Sequence, residues 1–237
     1  MISGLFISLS GVISSFRRHA VTANNVANVA TPGYKTSRLL SRDNPTGGVD
    51  STQVARVHSQ GPLIQTAQPL DLTIMGEGFF QVELNDGRVG YSRCGVLTVD
   101  PEGRLSTVDG HCLLPRVTVP ANAAQLIITS GGEIQATIGG ERRTLGQIEM
   151  ARFTNPAGLA PVGHGLFVES PASGPPITDP PGSAGMGTLV QGGLEGSNVD
   201  LTTEFVMDIL SVAQLKANLS SLKTQEEMLG SVLDIKA

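Results

Sequence analysis

The sequence predicts an α+β fold in which an all-β, hairpin-rich central domain is inserted between N- and C-terminal helices that pair as a coiled coil. Two observations predict the helices. Near each end of the 237-residue chain, apolar residues recur at alternating three- and four-residue steps, which describes one narrow apolar stripe on a helix. A third observation predicts the centre, where short apolar runs alternate with turn residues from about residue 62 to residue 190. Since a long helix with one apolar stripe needs a partner, each end of the chain is predicted to supply the partner of the other.

The N-terminal segment, residues 1–35, is predicted to form the first helix of this terminal coiled-coil domain. Its stripe begins with Leu5, Leu9, Val12 and Phe16. We expect the helix to end near Pro32, because proline disfavours helix in the residue before it and Gly33 permits a turn. The apolar opening is interrupted by serines and glycines and has no basic residue ahead of it, so a cleaved signal peptide is not expected.

Three asparagines crowd the end of the first helix: Asn24, Asn25 and Asn28. Asparagine is a mediocre helix former, so three of them this close lower helix stability unless their amides find partners. One interpretation is a fraying helix end. The other is that the amides form hydrogen bonds across a packed interface.

Residues 36–61 are polar and turn-rich, and we predict a linker there. Residues 62–192 are predicted to form the β-rich domain, a sandwich or irregular barrel built of hairpins. The strands are expected near 89–92, 96–99, 117–119, 125–129, 134–138, 146–153 and 166–169.

The C-terminal segment, residues 193–237, is predicted to contain the second helix of the coiled-coil domain. Asp200 can cap the start of this helix, and Glu204 lies in the first turn, where the helix dipole favours an acidic side chain. The predicted stripe consists of Phe205, Ile209, Val212, Leu215, Leu219, Leu222 and Leu229.

The distribution of charge limits the possible partners. The formal net charge is −5 without a basic cluster, which argues against nucleic acid, because phosphate binding needs concentrated Lys and Arg. Residues 1–45 carry four more basic than acidic side chains, and residues 195–237 carry four more acidic than basic ones. This asymmetry is compatible with the two ends lying together, and equally with two solvated faces that are unrelated.

The sequence predicts no catalytic residue, metal site or cofactor. Nucleotide-binding, serine-hydrolase and zinc-protease motifs are all absent, and the four histidines show no ligand-like spacing. A glycosidase-type pair of carboxylates stays open, because the distance between two carboxylates cannot be read from a sequence. Cys94 and Cys112 lie on neighbouring predicted strands. They could form a disulfide outside the cytoplasm, or be two small buried apolar residues.

Several stretches resemble one known family. Residues 23–35 read A-N-N-V-A-N-V-A-T-P-G-Y-K, which resembles the N-terminal signature of the bacterial flagellar basal-body rod and hook proteins. Residues 70–82, 91–95 and 100–105 look similar to the middle of those proteins, and residues 192–200 resemble the approach to their C-terminal helix. The resemblance covers both ends and most of the β region, and it is strongest to the distal-rod members of the family.

This resemblance implies a structural subunit of the bacterial flagellar axial rod rather than an enzyme. Such subunits assemble helically, with their terminal helices lining a tube that transmits torque and encloses the export channel. The implied partners are copies of this chain, other rod and hook proteins and the flagellar type III export apparatus, with no nucleic acid and no membrane span. The implied location is the basal body, reached without a cleaved signal peptide. We expect an assembly motif that forms intersubunit hydrogen bonds, made of Asn24, Asn25, Asn28, Thr31, Pro32, Gly33 and Tyr34.

Three alternatives remain at this point. The chain could be a hook or proximal-rod subunit of the same family, a wall-degrading hydrolase, or a carbohydrate-binding β protein. A carbohydrate-binding surface would need exposed aromatic rings for sugar stacking. The β region offers Tyr91, together with Phe79 and Phe80 in a predicted strand where core packing is expected. Neither of the last two alternatives explains the paired apolar stripes.

Overall fold

A computed structural model describes the backbone of residues 2–234, with the side chains of all of these except residues 2, 52 and 232–234. Residues 1 and 235–237 of the predicted terminal segments lie outside the described residues. The expected arrangement, an N-terminal and a C-terminal helix flanking a β-rich centre, is confirmed. None of the described helices is long and apolar enough to cross a membrane.

The chain divides into two compact units. The helical unit combines residues up to 29 with residues 36–57 and the chain from 199 onward. The β unit combines residues 30–35 with residues 58–198.

Two helices dominate the helical unit: α1 (Ile2–Ala27) and α2 (Leu201–Asp234). They lie antiparallel, since Ser8 near the start of α1 bonds Ser221 late in α2 (Oγ to Oγ, 3.2 Å). His19 near the end of α1 contacts Asp208 early in α2 (Nδ1 to Oδ1, 2.5 Å).

The predicted cap of the second helix is confirmed. Asp200 lies directly before α2 and accepts hydrogen bonds from the Thr202 N–H (3.0 Å) and the Thr203 hydroxyl (2.6 Å). These bonds supply acceptors at a helix end, where backbone N–H groups have no intrahelical partner.

The segment 36–61, which we predicted to be a linker, instead contains a β-hairpin. Strands β1 (Ser37–Asp43) and β2 (Val49–Arg56) pair antiparallel, and the turn residues at 44–48 close the hairpin. The hairpin is bonded to α1 through Arg17, which donates to the Ser51 carbonyl (2.8 Å). Its strands escaped prediction because they are mostly polar and exposed, and so lack the alternation of apolar and polar residues that marks a half-buried strand.

All strand pairs of the β unit are antiparallel. The largest sheet has the path β14-β15-β6-β5-β9-β8-β7, with β13 also paired to β5 and β16 paired to β13. Three smaller sheets have the orders β10-β11-β12, β17-β4 and β18-β3. The strands are β3 (Leu63–Gln65), β4 (Leu72–Met75), β5 (Phe79–Glu83), β6 (Val89–Ser92), β7 (Leu97–Val99), β8 (Leu105–Thr107), β9 (Cys112–Leu114), β10 (Ala123–Ile128), β11 (Glu133–Ile138), β12 (Glu141–Gln147), β13 (Met150–Arg152), β14 (Ala160–Gly163), β15 (Leu166–Val168), β16 (Ile177–Asp179), β17 (Thr188–Gln191) and β18 (Gly193–Glu195).

Of the strands expected between residues 89 and 169, five are present, as β6, β7, β10, β11 and β15, and two differ. The expected strand at 117–119 makes only an isolated bridge, from Thr118 to Arg104. The expected strand at 146–153 is two strands, because β12 ends at Gln147 and β13 begins at Met150. The β unit has a main aliphatic core that includes Leu72, Ile74 and Val82, and a second, aromatic core.

Candidate functional site

The asparagine-rich end of α1 holds the start of the hairpin. The Asn25 side chain is only 1% exposed. Its Nδ2 donates to the Ser37 carbonyl (2.9 Å), and its Oδ1 accepts the Ser37 N–H (2.9 Å). Asn25 therefore satisfies both backbone groups of the first residue of β1, as a neighbouring strand would. This is a bond within the chain, so Asn25 has a role here that differs from the intersubunit role expected for it.

The two neighbouring asparagines bond each other. Asn28 Nδ2 donates to the Asn24 carbonyl (2.9 Å) and to Asn24 Oδ1 (3.3 Å). The Asn24 side chain is exposed and that of Asn28 is half-buried. Contacts of these two residues with a neighbouring copy stay a prediction.

The turn that completes the predicted motif lies in the β unit. Gly33 has φ = +70°, and its N–H donates to the Glu195 carbonyl (2.7 Å). Tyr34 is buried and its carbonyl accepts the Asn198 N–H (3.4 Å). Thr31 is exposed and Pro32 is half-buried. The turn thus binds the segment that follows α1 to the segment that precedes α2.

A buried cluster of charged side chains, which sequence reasoning missed, lies beside this turn. Lys35 Nζ contacts Glu195 Oε1 (2.5 Å) and donates to the Ser59 carbonyl (2.7 Å). Arg93 approaches Glu195 Oε2 (3.5 Å), and its guanidinium carbon lies 5.3 Å from the centroid of the Phe79 ring. Burial lowers the pKa of Lys35, against the raising effect of the bond to Glu195, and burial also lowers the pKa of Arg93. We call Lys35, Arg93 and Glu195 the buried ion cluster.

No clear signal for this cluster is present in the sequence. Glu195 stands in a stretch rich in glycine, where an acidic side chain is ordinarily solvated. Lys35 closes the family-like signature but was assigned no role from sequence. What could not be seen is that the topology brings these two residues together across 160 positions.

Small and polar residues form the line along which the two helices meet. Ser8 bonds both Ser221 and the Gln225 amide (3.1 Å). A Cβ placed on Gly11 would lie 2.6 Å from Asn218 Nδ2, so glycine permits the close approach of the helices there.

The predicted apolar stripes are divided between the seam and the outer faces of the helices. Val12 is buried. Half-buried members are Leu5, Val212, Leu215, Leu222 and Leu229. Exposed members are Leu9, Phe16, Phe205, Ile209 and Leu219.

The exposed stripe residues belong to larger apolar outer faces. Among the large apolar side chains, the most exposed on each helix are Phe6, at 66%, and Ile209, at 68%. Contiguous apolar surface of this kind marks protein–protein contacts. We call these the outer faces of α1 (Phe6, Ile7, Leu9, Ile13 and Phe16) and of α2 (Leu201, Phe205, Val206, Ile209, Leu210, Leu219 and Met228).

Other candidate chemical groups are not assembled into a site. Cys94 and Cys112 are both free, half-buried thiols, so of the two sequence alternatives the disulfide is not formed in this structure. Among residues 2–234, no group of three or more His, Cys, Asp and Glu side chains could hold a metal ion. The rings of Phe79, Phe80 and Tyr91 are buried, which places them in the core rather than on a sugar-binding surface.

Comparisons with known proteins agree on one family. Residues 8–35 match the family described as "Flagella basal body rod protein", and residues 73–136 match "Flagellar hook protein FlgE/F/G D1 domain". The chain is 36% identical to the flagellar basal-body rod protein FlgG of Agrobacterium fabrum, over 94% of this chain and 95% of the relative. It is 34% identical to FlgG of Buchnera aphidicola subsp. Acyrthosiphon pisum, over 97% of this chain and 98% of the relative. It is 30% identical to the flagellar basal-body rod protein FlgF of Caulobacter vibrioides, over 98% of this chain and 100% of the relative.

Proposed function

The chain belongs to the flagellar basal-body rod protein family, and from this premise we propose that it is a structural subunit of the bacterial flagellar axial rod. In this proposal copies of the chain assemble helically into a tube that transmits torque and encloses the export channel. Full-length similarity to several rod proteins named FlgG supports a distal-rod position.

One observation carries the proposal: although α1 and α2 pack against each other, many of their large apolar side chains stay exposed. Ser8 and Ser221 meet at the seam, while Phe205 and Ile209 face outward, exposed by 54% and 68%. Burying apolar surface contributes roughly 25 cal/mol per Å² of area removed from water. Assembly with further copies would remove these faces from water. A contact that joins two different patches of successive copies does not close on itself, and so it builds a tube or filament.

In the assembled tube we propose that the outer faces complete the coiled-coil packing that the two stripes predict. The exposed stripe residues of one copy, such as Phe16 and Ile209, would then pack between helices of neighbouring copies. Helices in proteins gain most of their stability from packing an apolar face, so neighbouring copies would stabilise both terminal helices.

Location and partners follow from the same proposal. The chain would lie in the basal body, after export through the flagellar apparatus. Its partners would be copies of itself and other rod and hook proteins. The family is structural rather than enzymatic, and we propose no catalytic role for this chain.

A proximal-rod or hook position is the second candidate. Two observations favour it: the 30% identity to the rod protein named FlgF, and the match of the β unit to a domain described for hook protein as well as rod proteins. A wall-degrading enzyme or a carbohydrate-binding protein has no comparable observation behind it.

The test is complementation of bacteria that lack the distal-rod, the proximal-rod or the hook gene. We expect motility to return only in the strain without its distal-rod protein, with the chain found in purified basal bodies. The purified chain should also form sedimentable tubes. Rescue of another deletion strain alone would move the chain to that position. A chain that neither assembles nor enters basal bodies in any strain contradicts the proposal.

A further inference from the structure

Burying the ion cluster costs free energy on folding, because charged groups lose their water. Lys35 and Glu195 are each 1% exposed and Arg93 is 5% exposed. Two cations therefore share one carboxylate, away from water. Within residues 2–234, the Arg93 Nε has no hydrogen-bond acceptor. A partly satisfied polar network is less favourable than an apolar core, and buried ion groups can often be replaced by apolar side chains without loss of stability. Stability alone therefore does not explain why these three residues are charged.

The bonds of the cluster are directional and join three separate backbone segments. Glu195 Oε1 accepts hydrogen bonds from Lys35 Nζ and from the Gly61 N–H (2.8 Å). Lys35 also bonds the Ser59 carbonyl, and the Gly196 N–H donates to the Pro62 carbonyl (2.7 Å). Residues 33–35, 59–62 and 195–196 are thus held at fixed distances from one another.

These three segments are the ones through which the chain leaves the β unit. The chain passes between the two units after residues 29, 35, 57 and 198. Residues 30–35, between the first two of these points, contain Lys35. The crossing after residue 57 comes two residues before Ser59, and the crossing after residue 198 comes three residues after Glu195. The cluster therefore sets, inside the β unit, the spacing between the segment after α1 and the segment before α2.

Polar and small residues contribute to the seam between the two helices, where Ser8 meets Ser221 and Gly11 meets Asn218. Hydrogen bonds of this kind each add only modestly to stability, because they replace hydrogen bonds with water. We therefore expect helix pairing to depend on the effective concentration at which the two helices are held, which is set by how tightly their connections are fixed.

We propose that Glu195 is a positioning residue for assembly: its carboxylate, held by Lys35 and Arg93, fixes the connections of α1 and α2 so that the two helices pair and present their outer faces together. This inference rests on the proposed function, since the paired helices matter as an assembly surface. It assigns to the cluster a role that an apolar replacement of similar stability cannot fill.

The experiment separates positioning from stability by two measurements on one set of proteins. Helix pairing is measured as the rate of disulfide formation between Ser8→Cys and Ser221→Cys, whose hydroxyl oxygens lie 3.2 Å apart in the parent, in a Cys94→Ser/Cys112→Ser background. Stability of the β unit is measured as its thermal unfolding midpoint. The test variant adds Lys35→Met, Arg93→Met and Glu195→Leu. The matched control adds Lys223→Met alone, which removes a lysine from an exposed pair with Glu227.

We expect the test variant to keep its unfolding midpoint and to form the crosslink about tenfold more slowly, because the effective concentration of the helices falls when their connections loosen. The Lys223→Met control should match the parent. Crosslinking of the test variant within about twofold of the parent would overturn the proposal, since pairing would not depend on the cluster.

Glu195→Gln provides a second variant if the triple replacement does not fold. It keeps the shape of the side chain and removes the charge that holds both cations, and the same slowing is expected; an unchanged rate overturns the proposal. Assembly of the parent is scored separately by sedimentation. Failure of the parent to assemble contradicts the proposed function, whereas the crosslinking rates test the positioning role in the monomer.

Discussion

The side chain of Asn25 forms two hydrogen bonds with the backbone of Ser37, one through each atom of its amide. Both atoms lie in a buried site at the end of α1, where an asparagine is otherwise an unfavourable helix residue. The arrangement explains one of the three crowded asparagines as a fixed joint between α1 and β1. It also gives the hairpin a defined starting register.

Replacing Asn25 with alanine should destabilise the helical unit. The change leaves the N–H and carbonyl of Ser37 buried without these two partners, and an unsatisfied buried polar group costs about 1–3 kcal/mol. The free energy of unfolding, measured by urea denaturation followed by circular dichroism, should fall by that amount. Asn24→Ala is the matched control, because the Asn24 side chain is exposed; its effect should stay within about 0.5 kcal/mol. Equal effects of the two changes would contradict the role assigned to Asn25.

Gly33 should tolerate no side chain. Its φ of +70° disfavours an L residue, and a Cβ there would lie 2.7 Å from the Cys94 backbone nitrogen and 2.8 Å from the Arg93 carbonyl carbon. Backbone atoms cannot move aside as a flexible side chain can. We therefore expect Gly33→Ala to lower the free energy of unfolding by at least about 3 kcal/mol, the sum of a left-handed backbone penalty and overpacking.

Gly87 supplies the control for this change. Its φ is +81°, yet a Cβ there would meet nothing within 4 Å. Gly87→Ala should therefore show the backbone penalty alone, about 1–2 kcal/mol. Thermal or urea unfolding of both variants measures the difference. If the two alanines cost the same, the tight packing of the turn against residues 93–94 is not what requires glycine at position 33.

Periodicity predicted both terminal helices, because a stripe such as Phe205, Ile209 and Val212 needs only the local 3.6-residue repeat to be recognised. It could not predict which face the helices share. Apolar spacing shows that a face is to be covered, but not whether the cover is the other helix or a second copy of the chain. Here the seam runs through Ser8 and Gly11, residues with no apolar signal at all.

The buried ion cluster and the hairpin were missed for different physical reasons. Lys35 and Glu195 meet where the Gly33 N–H bonds the Glu195 carbonyl, a long-range contact that no local pattern encodes. The hairpin strands are mostly polar, and the stretch with glycine and proline at 44–48 was interpreted as part of a linker. In the structure that stretch is the turn that closes the hairpin.

The cap of α2 should depend on pH through Asp200. The hydrogen bond from the Thr203 hydroxyl, followed by that from the Thr202 N–H, lowers the pKa of Asp200 below its usual value. A carboxyl group with a lowered pKa in the folded state contributes stability that is present above its unfolded pKa and is lost as the pH falls through the folded pKa. The cap should therefore be intact at neutral pH and weaken progressively below about pH 4.

Asp200→Asn separates the cap from its charge, because asparagine caps helices about as well as aspartate but does not titrate. Amide hydrogen exchange of the first turn of α2 should increase on acidification in the parent, and Asp200→Asn should remove that increase. Asp200→Ala should show faster exchange at every pH. Parallel acid dependence in the parent and in Asp200→Asn would assign the effect to another carboxyl group.

Charging the outer face of α2 should block assembly without unfolding the monomer. The Ile209 side chain is 68% exposed, so Ile209→Asp removes few contacts within the chain, and its effect on the free energy of unfolding should stay within about 0.5 kcal/mol. In a tube the same position would lie against a neighbouring copy, where a carboxylate would lose its water without gaining a partner. Burial of an unpaired polar or charged group costs several kcal/mol, so sedimentable assembly should fall at least about tenfold.

Two further variants test whether the apolar outer face of α2 itself is required for assembly. Val108→Asp makes the same kind of change at a side chain of the β unit that is 69% exposed and lies outside the outer faces, and assembly should survive it. Val12→Ala removes apolar volume from the one buried member of the predicted stripes, so it should lower the unfolding free energy of the monomer by about 1–3 kcal/mol. If Ile209→Asp assembles as well as the parent while Val12→Ala unfolds as expected, the outer face of α2 is exposed in the tube as well. The contacts between copies would then have to come from α1 or from the β unit.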